Sequence, residues 1–127
     1  RRERLAISVM FLLGERFIDG GARWTVNSLA DRLYVPATVL GEVVSALEAH
    51  DLVLTAEDDS LMPARDLDAI PVASIFDSIR HEVPDPRRPK LRPVVSADAT
   101  AQIADDALRT SMQGRTLRDL VRPGGKT

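Results

Sequence analysis

Apolar residues recur at helical spacing from the first turn of the chain. Leu5, Val9, Leu12, Leu13 and Phe17 fall three and four residues apart, and Ile7, Met10 and Phe11 widen the stripe. The spacing predicts a helix over residues 3–18, with an apolar surface too broad for burial on one side only. Asp19-Gly20-Gly21 ends it, because glycine readily takes the left-handed conformation found at helix C-termini. Thr25 stands where an N-cap should, ahead of a short helix over 26–33 with Leu29 and Leu33 four apart. Tyr34-Val35-Pro36 makes a turn, and proline suits a first helical position, where its missing N–H costs nothing. The next helix is predicted over 36–49, with Val39, Val43 and Leu47 in one stripe and Leu40 and Val44 beside it.

The period then changes. Leu52-Val53-Leu54-Thr55 is β-prone, Glu57-Asp58-Asp59-Ser60 is a polar turn, and Leu61-Met62 resumes an extended run, which together predict a small hairpin. Pro71 opens a fourth helix over 71–82, striped by Val72, Ile75, Phe76 and Ile79. Four of the eight prolines fall between Pro84 and Pro93, interleaved with Arg87, Arg88, Lys90 and Arg92, so residues 84–95 read as an extended linker. A helix resumes over 96–113 with Ala97, Ala101, Ala104, Leu108 and Met112 on one face, and Gly114 breaks it. Thr116 and Asp119 have the spacing of a capping box for a last short turn.

Three helices followed by a two-stranded hairpin is the order of a winged helix. The expected fold class is therefore mainly α with a small β-hairpin: a winged helix-turn-helix plus a C-terminal helix. The second and third helices form the helix-turn-helix, and the hairpin is the wing. A helical bundle with a β-arm is the plainer alternative, but turn chemistry and apolar pattern agree on the winged helix at every step. The expected division is a winged-helix domain over 1–83, a Pro/Arg-rich linker over 84–95 and a C-terminal helical segment over 96–127.

Composition narrows the chemistry. With 127 residues the chain can bury one real core, not two. The absence of cysteine excludes disulfides, thiol catalysis and cysteine-ligated metals or clusters. Aromatics at 4% are too few for a base-stacking platform. Charge is unevenly spread: residues 1–83 carry eight Lys/Arg against fourteen Asp/Glu, while 84–127 carry nine against five. The folded-looking part is thus acidic, which is a disadvantage for gripping phosphates.

The stretches Trp24 to Leu33, Val35-Pro36, Val44 to Leu54 and Met62 to Ile70 carry a family resemblance. They resemble the Rrf2 group of bacterial winged-helix regulators. More closely, with Glu3 to Met10 and Pro63-Ala64-Arg65-Asp66-Leu67, they resemble the C-terminal cytoplasmic domain of YihY/BrkB-type inner-membrane proteins, long labelled ribonuclease BN. Gly114 to Val121 is similar to the segment that closes both groups. The closer resemblance implies a non-enzymatic domain on the cytoplasmic side of the bacterial inner membrane. It would be part of a longer chain, mediating self-association or regulating its parent membrane domain. The Rrf2 resemblance implies a dimeric DNA-binding transcriptional regulator instead. The ribonuclease label implies, more weakly, a tRNA-processing protein. Redox-sensing Rrf2 regulators hold an iron–sulfur cluster through cysteines; this chain has none, and no cofactor is expected.

The surface expected at the helix-turn-helix argues against DNA. Outward candidates on the third helix are Ala37, Thr38, Gly41, Glu42, Ser45 and Glu48, with none of the Arg, Lys, Asn or Gln that make most bidentate base contacts. Glu57-Asp58-Asp59 would bring the wing tip, carboxylates first, to phosphate. At about 5 Å and an effective dielectric of roughly 20 to 80, each such carboxylate costs roughly 1–3 kcal/mol before screening. Arg23 and Arg32 are the nearest cations and read as solvated surface. DNA binding is accordingly disfavoured on this reading.

Catalytic and metal sites are not expected. His50 and His81 fall at helix C-termini, where an imidazole complements the dipole. Asp66 and Asp68 suit a turn, and Asp105 and Asp106 a solvated helix face. Gly124-Gly125-Lys126-Thr127 has no helix after it, so it makes a poor phosphate loop. What remains is a partner surface. Leu5, Val9 and Leu12 on the first helix, with Ala104, Leu108 and Met112 on the last, are the candidate dimer face, and a homodimer is expected. A helix over 96–113 is too short to stand alone and must dock on its own domain or on a second copy. Arg87, Arg88, Lys90 and Arg92 are the candidate phosphate or headgroup contacts, and the opening Arg1, Arg2 and Arg4 fit a membrane-flanking segment.

Overall fold

The computed structural model describes residues 2–80, 103 and 113–122. Its elements in chain order are α1 (Arg2–Asp19), α2 (Val26–Leu33), α3 (Ala37–Ala49), β1 (Val53–Thr55), β2 (Leu61–Pro63), a 3-10 turn (Leu67–Ala69), α4 (Val72–Arg80) and α5 (Leu117–Val121). This is the expected winged helix-turn-helix, mainly helical with a two-stranded antiparallel hairpin.

The broad apolar surface of α1 is explained by its neighbours: it packs on α3, α4, α5 and β2 at once. Ala6, Val9, Met10, Leu12, Leu13 and Gly14 are buried along it. Gly14 lets α5 come close, since a Cβ there would stand 2.8 Å from Val121 Cγ2. The helix stops at Gly20, whose φ of 81° and N–H bond to the Arg16 carbonyl at 2.8 Å make the expected left-handed end.

Local chemistry sets the helix-turn-helix boundaries. Thr25 Oγ1 accepts from the Ser28 N–H at 3.1 Å, and Ser28 Oγ accepts from the Thr25 N–H at 2.8 Å, a reciprocal cap on α2. Pro36 sits one residue outside α3, not inside it as expected: its ψ of 142° is extended, and its carbonyl accepts the first helical bond, from Leu40 N–H at 3.1 Å. Leu40, Val43, Val44 and Leu47 turn inward. The wing pairs Val53 with Pro63, Leu54 with Met62 and Thr55 with Leu61. Trp24 adds a bridge to Leu61, whose N–H reaches the Trp24 carbonyl at 2.7 Å, and so ties the α1–α2 loop to the wing.

After the wing, Leu67 is buried by the 3-10 turn, a short element that the Asp66/Asp68 turn expectation did not include. Pro71 precedes α4 rather than opening it, and forms a bridge with Thr116. Val72 N–H bonds the Arg115 carbonyl at 3.0 Å, and Leu117 N–H bonds the Ile70 carbonyl at 2.8 Å. The capping box of Thr116 and Asp119 is present, and Leu117 and Val121 are buried against the rest of the molecule. The expected linker over 84–95 lies outside the described residues. So does the expected helix over 96–113, apart from Ile103, which is helical and exposed, and Gln113, which is in a turn.

Candidate nucleic-acid interface

The turn between α2 and α3 hinges on one residue. Tyr34 ends α2 in the left-handed conformation, φ 58° and ψ 44°, with its N–H on the Ala30 carbonyl. The Val35 N–H also reaches that carbonyl, at 3.1 Å, and the chain then turns into Pro36. Tyr34 is 93% exposed. Beyond it Pro36, Ala37, Thr38 and Ser45 are exposed, and a Cβ built on Gly41 meets nothing within 4 Å. The outer face of α3 therefore has low relief, which lets a groove approach its backbone closely. A cleft of about 330 Å³ separates α3 from the start of α2 and the wing, lined among others by Thr25, Asn27, Ser45, Glu48 and Thr55.

Electrostatics at this face differ from the sequence expectation. Glu42 is ion-paired with Arg2 of α1. Glu48 accepts a hydrogen bond from the Thr55 hydroxyl of β1. Asp58 Oδ1 accepts from Ser60 Oγ at 2.6 Å and from Ser60 N–H at 3.0 Å. Those bonds, the hydroxyl's foremost, hold the Asp58 carboxyl below the usual aspartate range, with the Arg23 charge adding a little. Three of the carboxylates expected to repel phosphate thus have protein partners, while Glu57, Asp58 and Asp59 are all exposed at the tip. Arg23 and Arg32 are exposed, while Arg16 is engaged, its guanidinium 4.4 Å above the Trp24 ring. Only Glu42 thus gains a counter-charge; the hydroxyls of Thr55 and Ser60 orient the carboxylates they meet without cancelling their charge.

The other expected site residues fall as follows. Val9 and Leu12 lie in the chain's own core, and Leu5 is partly buried against it. Ala104, Leu108, Met112, Arg87, Arg88, Lys90 and Arg92 lie outside the described residues, as does His81. His50 is at the end of α3, its Nδ1 3.1 Å from the Ala46 carbonyl. Asp68 faces Arg118 at 4.0 Å. Among the described residues, no group of three or more His, Asp or Glu could hold a metal ion. Sequence reasoning passed over Tyr34 as a site residue; the cue was its place directly ahead of Val35-Pro36, where a tight turn calls for a left-handed residue.

No protein-family model matches the chain, and no curated protein does either. Solved structures do. CymR (YrzC), the global cysteine regulator of B. subtilis, superposes with a TM-score of 0.67 at 20% identity, over 95% of this chain and 93% of that one. The oxidized form of Staphylococcus aureus CymR gives 0.70 at 16% identity, over 96% and 94%. T. potens IscR gives 0.65 at 18% identity, over 96% and 84%. The likeness is one of fold: a winged helix, shared with the two CymR chains over nearly their whole length. These matches overturn the expectation of a YihY/BrkB-like domain on the cytoplasmic side of an inner membrane, and they give a parent membrane domain as partner no support. No helix among the described residues is long and apolar enough to cross a membrane.

Proposed function

We propose that this chain is a DNA-binding transcriptional regulator of the Rrf2 type that acts as a dimer and catalyses no reaction. The observation that carries the reading is the outer face of the helix-turn-helix. There, Ala37 and Thr38 stand exposed at the start of α3, and of the two carboxylates behind them Glu42 is paired with Arg2 and Glu48 is turned to the Thr55 hydroxyl. In such folds the N-terminal residues of the second helix reach base edges in the major groove. The likeness to CymR and IscR supports the reading. A dimer would present two such helices to a two-fold operator. Ala104, Leu108 and Met112 are the proposed dimer face, and Arg87, Arg88, Lys90 and Arg92 the proposed phosphate contacts.

The test is selection from a random duplex library with the 127-residue chain, followed by anisotropy titration of the enriched duplex over a salt series. Expected is one enriched, two-fold-related site bound with Kd of about 10⁻⁸ M or tighter, weakening as salt rises. No enrichment, and no duplex binding at tens of micromolar in low salt, would dismiss the regulator reading.

A further inference from the structure

We propose that Tyr34 is a DNA-backbone contact, its phenol donating to a phosphate oxygen on the strand that borders the groove entered by α3. The inference rests on the DNA-binding reading and adds a residue that no base-reading argument supplies.

Two observations carry it. Tyr34 holds φ at 58°, a region where bulky L-residues are rare and glycine is at ease. The turn needs that conformation, because the Tyr34 N–H must close α2 on the Ala30 carbonyl. It does not need the side chain, which is 93% exposed and has no hydrogen bond or ring contact among the described residues. Strain of this kind, kept where it adds nothing to packing, is characteristic of binding sites.

The position gives the ligand. The first helix of a helix-turn-helix crosses the DNA backbone, and the start of the second enters the groove. The turn joining them lies over the sugar-phosphate strand between those two contacts. Tyr34 stands there, just ahead of Pro36 and Ala37. A phenol is a neutral donor that phosphate oxygens accept, as tyrosines do in other protein–DNA interfaces. It also suits this face, because α3 carries no Lys or Arg to reach the backbone itself.

Tyr34→Gly and Tyr34→Phe test the contact in the full chain. The measurements are the thermal midpoint, the mass by light scattering, and the Kd on the enriched duplex over a salt series. Tyr34→Gly should raise the thermal midpoint yet weaken binding about tenfold, the scale of one hydrogen bond to a charged acceptor. Tyr34→Phe should leave the midpoint unchanged and weaken binding comparably. Neither should alter the slope of log K against log salt, because a neutral donor releases no counterion. Unchanged affinity in both variants overturns the contact and leaves the regulator reading standing. A lowered midpoint in Tyr34→Gly makes the side chain structural and also overturns it. A drop in dimer mass assigns Tyr34 to the subunit interface instead. If the wild-type chain binds no duplex, both readings fall together.

Discussion

At the wing tip one carboxylate organises a turn. Asp58 Oδ1 receives both the hydroxyl and the N–H of Ser60, and the chain reverses through Asp59 at a φ of 69°. Because those donors favour the charged form, the folded carboxyl titrates below its unfolded value. Its contribution to stability is therefore complete above the ordinary aspartate value of about 3.9 and is lost as pH falls through the lower folded value. A carboxyl-carbon NMR titration should place Asp58 lower in the folded chain than in the denatured chain, and Ser60→Ala should move it back up. An unchanged Asp58 midpoint on folding would contradict the turn as described. Residues whose role is decided within a few positions were legible from the sequence: Thr25, the Thr116–Asp119 box and His50 each sit where capping chemistry puts them. Trp24 was not, because its bridge to Leu61 joins a loop to a wing that only the fold brings together.

Among the elements, α1 and α5 come closest where α1 lacks a side chain, at Gly14. A methyl on Gly14 would press on Val121 Cγ2 and push at α5, which has only five residues. Gly14→Ala should cost stability through overpacking, roughly 1–3 kcal/mol, offset by about 1 kcal/mol of better helix propensity. Val121→Ala makes room for the methyl, so in urea denaturation the two changes should couple by about 1 kcal/mol. Strict additivity would mean that α5 does not lie on Gly14. The wide stripe of α1 was legible as burial on several sides, but not which elements would cover it. Val9 and Leu12, assigned from the stripe to a partner face, are covered by the chain itself. The choice between membrane appendage and regulator was illegible for a related reason. The matching stretches are mostly core and turn residues, and they specify a winged helix whatever it is attached to.

For the whole molecule, net charge says how much charge there is, not where it sits. The acidic sum over 1–83 already contains Arg2, yet only the fold sets Arg2 against Glu42 across the α1–α3 packing, while Glu57, Asp58 and Asp59 stay exposed at the wing tip. A sum over the sequence cannot register such placement, which depends on which elements become neighbours.

The bonds that join Ile70 to Leu117 and Val72 to Arg115 have a consequence in time. They are rungs between segments remote in sequence, and they must break together when the closing segment lifts from the winged helix. Amide hydrogen exchange in the native state should then report one opening for the Val72 and Leu117 N–H groups, with equal protection factors. That opening should be easier than the one that frees the Val43 and Val44 amides inside α3. If Leu117 exchanged freely while Val72 kept the protection of the core, the two segments would not be joined. Shared protection would define the closing segment as a separate cooperative unit, one that can leave and return while the helix-turn-helix stays folded.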